Sequence, residues 1–155
     1  MTRTPTTRHD LRAERIALAL GVLSLVSAGA FLLSSLLHAG ITVDLGIIVL
    51  EEPTVLPAQI VETVSGLALA VGGLALLTRR SWARAAATTG HAVALVGVTQ
   101  GILVTITFGR GTSSVRNDVF HWVMVVVLVS GLLALARPSV RAALKERSKP
   151  QRAET

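Results

Sequence analysis

The sequence predicts an all-α membrane protein, a bundle of four transmembrane helices with both termini in the cytoplasm. Only 15% of its 155 residues are charged and 51% are hydrophobic, whereas soluble domains carry about 25% charged residues. The mean hydropathy of +0.63 agrees with this composition. The charges are also confined to short blocks between long uncharged runs. A bilayer favours this pattern because a charge at its centre costs at least ~2.5–3.5 kcal/mol.

Four apolar runs are long enough to cross a hydrocarbon core of about 30 Å, which takes about 20 helical residues. Ala28-Gly29-Ala30 in the first run resembles a signal-peptidase site. The apolar run continues past that site and exceeds a signal h-region of about 7–15 residues, so an uncleaved helix is predicted. The predicted spans are residues 16–38, 57–78, 84–108 and 118–136.

Three segments lie outside the predicted spans. Residues 1–15 and 137–155 are predicted as a basic cytoplasmic N-terminus and a basic cytoplasmic tail. The first half of the tail is predicted to be a surface helix, and the part from Lys149 onward to be disordered. The connector 39–56 holds an apolar stretch, 41–50, that is too short to cross the bilayer. It is predicted to be an interfacial or re-entrant segment, or a short strand.

The basic residues set the predicted orientation. Thirteen of the 15 Lys and Arg residues fall at the N-terminus, between the second and third spans, or in the tail. Only Arg110 and Arg116 fall on the other side, so the positive-inside rule places both termini in the cytoplasm. The Arg-rich composition indicates a bacterial cytoplasmic membrane. Basic residues that flank spans favour anionic lipid headgroups, rather than nucleic acid, as partners of the tail.

Polar residues from all four spans are predicted to lie in the outer half of the bilayer. Intramembrane ionisable groups are functional candidates, so these residues form the predicted functional cluster, although no catalytic set is evident. The members of the cluster are His38, Glu62, Gln100, Asn117 and His121.

A carboxylate and two imidazoles fit three chemistries. His38, Glu62 and His121 could bind a divalent metal such as zinc, or they could pass protons. His38 and His121 could instead ligate a haem. In the structural alternative, both histidines are plain interfacial side chains, and Glu62 only bonds Gln100 or His121 between helices.

His91 is a second candidate site, predicted to lie in the inner half of the third span. Nine helical steps of about 100° place it on the opposite side of that helix from Gln100. His91 is predicted to be a haem or proton site, or alternatively a contact between two helices.

Small residues predict how the helices pack, because lipid tails provide no hydrophobic force between helices and close backbone contact must provide the attraction. The third span carries a stripe formed by Gly90, Ala94, Gly97 and Gly101. We expect this stripe to pack closely against the antiparallel second span. The chain has no cysteine, which excludes disulfides, thiolate metal sites and cysteine catalysis.

The second predicted span and the residue after it carry a pattern of Pro57, Glu62, Gly66, Leu67-Ala68-Leu69, Gly72-Gly73 and Leu76-Leu77-Thr78-Arg79. This pattern resembles the second helix of DoxX-like four-helix membrane proteins. This resemblance covers about a quarter of the chain and implies a subunit that works with a quinone-linked or other membrane oxidoreductase. Glu62 is the position that carries over.

The predicted function is that of a small accessory or interaction subunit of a membrane complex, acting as a homo- or hetero-oligomer. One alternative is a redox- or ligand-linked subunit that uses a quinone, a haem or a metal at the outer cluster. A second alternative is a proton-coupled transporter that works as an oligomer. Four spans are few for a transporter, and no inverted repeat is evident.

Overall fold

The computed structural model describes residues 8–108 and 114–147. Within these residues, the regular secondary structure is helical apart from one short β-hairpin. Arg110 and the segment from Lys149 onward, which was predicted to be disordered, lie outside the described residues. The elements are α1 (Arg8–His38), β1 (Val43–Asp44), β2 (Val49–Leu50), α2 (Leu56–Leu77), α3 (Ala83–Phe108), α4 (Val115–Ala136) and α5 (Pro138–Arg147).

Four of these helices are long and apolar enough to cross a membrane. Large aliphatic side chains are exposed along them, such as Val26, Val126 and Ile106, which is compatible with contact with lipid. Helix α4 begins before the predicted residue 118, because the Ser114 hydroxyl caps it by accepting from the Asn117 N–H at 3.1 Å. The candidate spanning segments are Glu14–His38, Leu56–Leu77, Ala83–Thr107 and Val115–Ala136.

The long helices run antiparallel to their neighbours in the chain. Gly72 of α2 lies against Ala87 of α3, and further along Gly90 of α3 lies against Ala68 of α2. A Cβ atom added to Gly90 would lie 2.6 Å from the Ala68 carbonyl oxygen, so no larger residue fits without moving a backbone. The absence of a side chain at such positions lets α2 and α3 approach closely.

The antiparallel arrangement gives the helices two ends. At the hairpin end, α1 and α3 finish and α2 and α4 begin. At the tail end lie the turn between α2 and α3 and the short helix α5. One core cluster, nearer the middle, takes residues from all four long helices: Ala28, Phe31, Leu69, Ala94, Val98, Met124 and Leu128.

Helix α5 packs against the tail end of the long helices. The first half of the tail is therefore helical, as predicted, but this helix packs against the long helices instead of lying free on the surface. Val140 is 0% exposed and Leu144 is 8% exposed, and both join a core cluster with Ala17 and Leu76. Because these apolar residues are four positions apart, they share one face of an otherwise basic helix. Pro138 starts the helix at a position where its missing N–H costs nothing.

The connector forms the hairpin, which realises the strand alternative for residues 41–50. Val43 pairs with Leu50, and Asp44 pairs with Val49. Gly46 adopts a φ of 78°, which favours glycine, and its N–H donates to Asp44 Oδ1 at 2.8 Å. The hairpin therefore presents a tight turn at its tip.

Candidate functional site

His38 and Glu62 form a buried pair at the hairpin end. His38 is the last residue of α1 and Glu62 lies in the second turn of α2; they are 2% and 5% exposed. His38 Nε2 lies 3.7 Å from Glu62 Oε1, which also accepts a hydrogen bond from Ser34 Oγ at 2.8 Å. Ser34 and His38 are four positions apart, so one face of α1 presents both groups to Glu62.

The other ring nitrogen of His38 holds the connector. His38 Nδ1 lies 3.0 Å from the Pro53 carbonyl oxygen, and the Val55 N–H donates to the His38 carbonyl at 3.1 Å. A carbonyl can only accept, so Nδ1 carries a hydrogen in this contact. In a neutral imidazole, Nε2 is then the acceptor, and it is Nε2 that faces Glu62.

Two atoms of this pair lack a hydrogen-bond partner within the described residues: His38 Nε2 and Glu62 Oε2. An acceptor nitrogen facing a carboxylate is satisfied only when a proton or another donor lies between them. The separation of 3.7 Å exceeds a normal direct hydrogen bond. The pair can therefore hold one transferable proton or bind a small hydrogen-bonding group.

An ion pair fastens the connector to α4. Glu52 Oε1 accepts from Arg116 Nη2 at 2.8 Å and from Ser114 Oγ at 2.7 Å, and Arg116 also donates to the Glu51 carbonyl. The Glu52 side chain is only 3% exposed. Since Pro53 follows Glu52 directly, this ion pair holds the Pro53 carbonyl against His38.

Ser34, Glu52 and Pro53 were not among the residues predicted for the site. Ser34 had a local signal, since it lies one helical turn before His38 on the same face. Glu52 and Pro53 had none, because the connector reaches α4 and His38 only through the folded chain.

His121 does not join the His38–Glu62 pair. Its Nδ1 lies 2.7 Å from the Asn117 carbonyl oxygen on its own helix, and its ring packs against Gly101 of α3. It lines a groove between α3 and α4 together with Thr105 and Trp122. Across the described ranges, no hydrogen bond or ion pair connects His121 to His38 or Glu62. Asn117 is buried beside it at the start of α4.

Gln100 lies on the exposed surface of α3, so it does not form the hydrogen bond with Glu62 that the structural alternative allowed. Ala94, which is 0% exposed, marks the buried face of this helix. Six helical steps place Gln100 about 120° around the helix from Ala94. His91, opposite Gln100, is on the buried side.

His91 makes a contact between helices, as in its structural alternative. Its Nδ1 lies 2.8 Å from the Ala87 carbonyl, and its ring abuts Gly131 of α4. His121 of α4 abuts Gly101 of α3 in the same way. Each glycine follows the histidine of its own helix by ten residues, so the two antiparallel helices exchange equivalent contacts. This repeated ten-residue spacing between a histidine and a glycine is the sequence signal for the two contacts, and it was not used in the predictions above.

The glycine stripe predicted on α3 is divided between two neighbours. Gly90 and Gly97 face α2, where Gly97 lies against Val61 and Ser65. Gly101 faces His121 of α4, and Ala94 lies in the core between them.

The donor set considered for a metal is not assembled. Within residues 8–108 and 114–147, no group of three or more His, Asp or Glu side chains could hold a metal ion. His38 and Glu62 provide two donors at most. A haem between His38 and His121 fits no better, because His121 Nε2 is packed against Gly101 and His38 Nε2 faces Glu62.

Comparison of the chain with protein-family profiles, curated protein sequences and solved structures gives no significant match. The resemblance of the second span to DoxX-like proteins therefore stays a prediction.

Proposed function

We propose that this chain is a small accessory subunit of a bacterial membrane complex, a four-helix bundle that binds a protein partner through its hairpin end. Its termini lie in the cytoplasm. The charge distribution supports this orientation, because Arg79, Arg80, Arg84 and Arg141 are at the tail end while Arg116 is at the hairpin end. The positive-inside rule places the more basic end in the cytoplasm.

The exposed tip of the hairpin carries the proposal for a protein partner. Ile47 is 95% exposed, and Leu45, Ile48 and Val49 are also more than half exposed. A contiguous apolar patch on a solvent-facing loop is unfavourable in water and is typical of an interaction surface. The ion pair between Glu52 and Arg116 holds the hairpin at its base, so the patch is presented in a fixed position.

The partner is a protein surface rather than the lipid hydrocarbon. Asp44 lies directly before Leu45 at the turn, and Glu51 follows the second strand; both are exposed. Inserting the tip into hydrocarbon would carry the Asp44 carboxylate with it, at a cost of at least ~2.5 kcal/mol. A protein interface can instead bury the aliphatic side chains and leave the carboxylates at its rim.

Site-specific photo-crosslinking tests the partner. A crosslinking amino acid at position 47 should trap one protein in native membranes, whereas the same group at position 126, on the exposed face of α4, should trap mainly lipid. Mainly lipid at both positions would show that the hairpin dips into the bilayer and would refute the protein partner.

Cysteine labelling tests the orientation independently, since the native chain has no cysteine. In intact cells, a membrane-impermeant maleimide should label Ile47→Cys but not Lys145→Cys. Labelling of Lys145→Cys alone would invert the proposed topology.

A ligand-linked subunit is the second candidate function. It is favoured by the two unpartnered atoms, His38 Nε2 and Glu62 Oε2, in a buried site. A quinone headgroup, which the DoxX-like resemblance implies, would hydrogen-bond to this pair when either residue carries the shared proton. Mass spectrometry of organic extracts should find such a molecule with the wild-type protein and much less with Glu62→Leu. The control Thr99→Val, at an exposed position, should retain as much of this molecule as the wild type. Equal amounts with the wild type, Glu62→Leu and Thr99→Val would exclude the site.

A further inference from the structure

Four cationic side chains converge on a groove at the tail end. Arg80 comes from the turn before α3 and Arg84 from the start of α3. Arg141 and Lys145 come from α5. The groove has a volume of about 620 Å³. Two parts of the chain that are sixty residues apart therefore contribute to one basic surface.

The docking of α5 creates this groove. Arg141 and Lys145 are four positions apart and share a face of α5, while Arg80 lies in the turn before α3 and Arg84 in its first turn. Val140 anchors α5 in the core at 0% exposure, which fixes the basic face of α5 beside α3. The burial of Val140 thus keeps the basic side chains of α5 next to those at the start of α3.

The arginines of the groove differ from Arg79, which lies next to them in the chain. Arg79 Nη2 donates to Glu14 Oε1 at 2.7 Å. In the part of the chain that the structure describes, no carboxylate pairs with Arg80, Arg84 or Arg141. Like charges at close range repel, so an anion bound between them would relieve that repulsion.

The groove also lies at the depth of lipid headgroups. The span of α3 begins at Ala83, directly after Trp82, whose exposed indole is typical of the membrane interface. Hydroxyls of Ser81, Thr88 and Thr89 line the groove beside the cations, and Ala142 and Leu144 form an apolar wall. Guanidinium groups and hydroxyls together match a phosphate, and the apolar wall matches the glycerol and upper acyl region of a lipid.

We propose that this groove is a binding site for the phosphate group of an anionic phospholipid. The assignment of that lipid to the cytoplasmic leaflet rests on the orientation given under the proposed function, but the binding itself does not. Since Arg80, Arg84 and Arg141 together carry more charge than one phosphate, a headgroup that carries two phosphates should bind more tightly than a headgroup that carries one.

Native mass spectrometry of the full chain in detergent tests the site. Delipidated protein is mixed with phosphatidylglycerol, a diphosphatidylglycerol, phosphatidylcholine or inorganic phosphate. The groove variant is Arg84→Gln with Arg141→Gln. The matched control, Arg15→Gln with Arg137→Gln, removes the same charge from exposed positions at the same end outside the groove.

The anionic lipids should bind the wild type and the control within about twofold, and the groove variant at least about tenfold more weakly, as expected from two lost arginine contacts. An equal loss in both variants would show diffuse attraction to basic charge and overturn the site. Equal binding of phosphatidylcholine, or inorganic phosphate that displaces the lipid at equal concentration, would overturn the assignment to an anionic lipid. These readouts use purified protein, so they do not depend on orientation or on the hairpin partner.

Discussion

Replacing Gly131 with alanine tests the contact that joins α3 to α4 near the tail end. A Cβ atom at this position would lie 2.5 Å from both Cδ2 and Nε2 of His91. Ordinary carbon contacts are about 3.5–4.0 Å, so the ring or the helix must move by roughly 1 Å. The ring has little freedom, since it is 1% exposed and its Nδ1 lies 2.8 Å from the Ala87 carbonyl.

The expected cost follows from comparison with a matched glycine. Gly29 is also inside a long helix, but an added Cβ there meets nothing within 4 Å. Both substitutions gain about 1 kcal/mol of helix propensity, which cancels in the comparison. The remaining overpacking should make Gly131→Ala about 1–3 kcal/mol less stable than Gly29→Ala.

Unfolding in detergent with increasing SDS measures these free energies. A double-mutant cycle with His91→Ala isolates the contact, because the extra cost of Gly131→Ala should vanish once the ring is gone. If Gly131→Ala and Gly29→Ala have equal stability with His91 in place, or if the cost persists without the ring, then the His91–Gly131 contact does not set the approach of the two helices.

Three further substitutions test the buried polar contacts and the docking of α5. Glu62→Gln should keep or raise the melting temperature in detergent whereas Glu62→Leu lowers it, because an amide N–H can donate to His38 Nε2; the opposite order would contradict the proton-sharing geometry. Arg116→Gln should cost about 1–3 kcal/mol and Glu52→Gln much less, since only the glutamate of this pair is buried; equal costs in SDS unfolding would refute this. Val140→Asp should free α5 and expose the tail to limited proteolysis while Val140→Ala does not, and unchanged cleavage of the aspartate variant would show that α5 is held otherwise.

The connector links the hairpin to the buried pair. Pro53 accepts from His38 on one side, and the adjacent Glu52 binds Arg116 on the other. A change in the protonation of His38 or Glu62 would therefore act on the base of the hairpin, whose tip we propose binds a partner. Both candidate functions use the same end of the molecule and the same few contacts.

The sequence alone was sufficient to predict the four helices that are long and apolar enough to cross a membrane, because the length and apolarity of a helix are local properties of the chain. It also predicted a helix in the first half of the tail and a short strand as one form of the connector. Glu62 and His38 were both recognised as candidates, since ionisable residues stand out in an apolar sequence.

Only the tertiary structure decided which polar residues meet. In a soluble helix the apolar face identifies the buried side, but in a membrane helix both the lipid-facing and the buried faces are apolar. The rotation of α3 about its axis therefore could not be predicted from the sequence. In the structure, Gln100 is exposed and His91 is buried. His121 likewise meets Gly101 rather than Glu62.

The contacts of the connector depended on the folded chain for a different reason. Glu52 meets Arg116 across more than sixty residues of sequence, and Pro53 reaches His38 only because the hairpin folds back over the end of α1. The basic groove has the same origin, since Arg84 and Arg141 become neighbours only when α5 docks. The sequence by itself determined the lengths and polar ends of the helices, and packing decided which side chains share a site, because such pairings depend on helix rotation and long-range contacts.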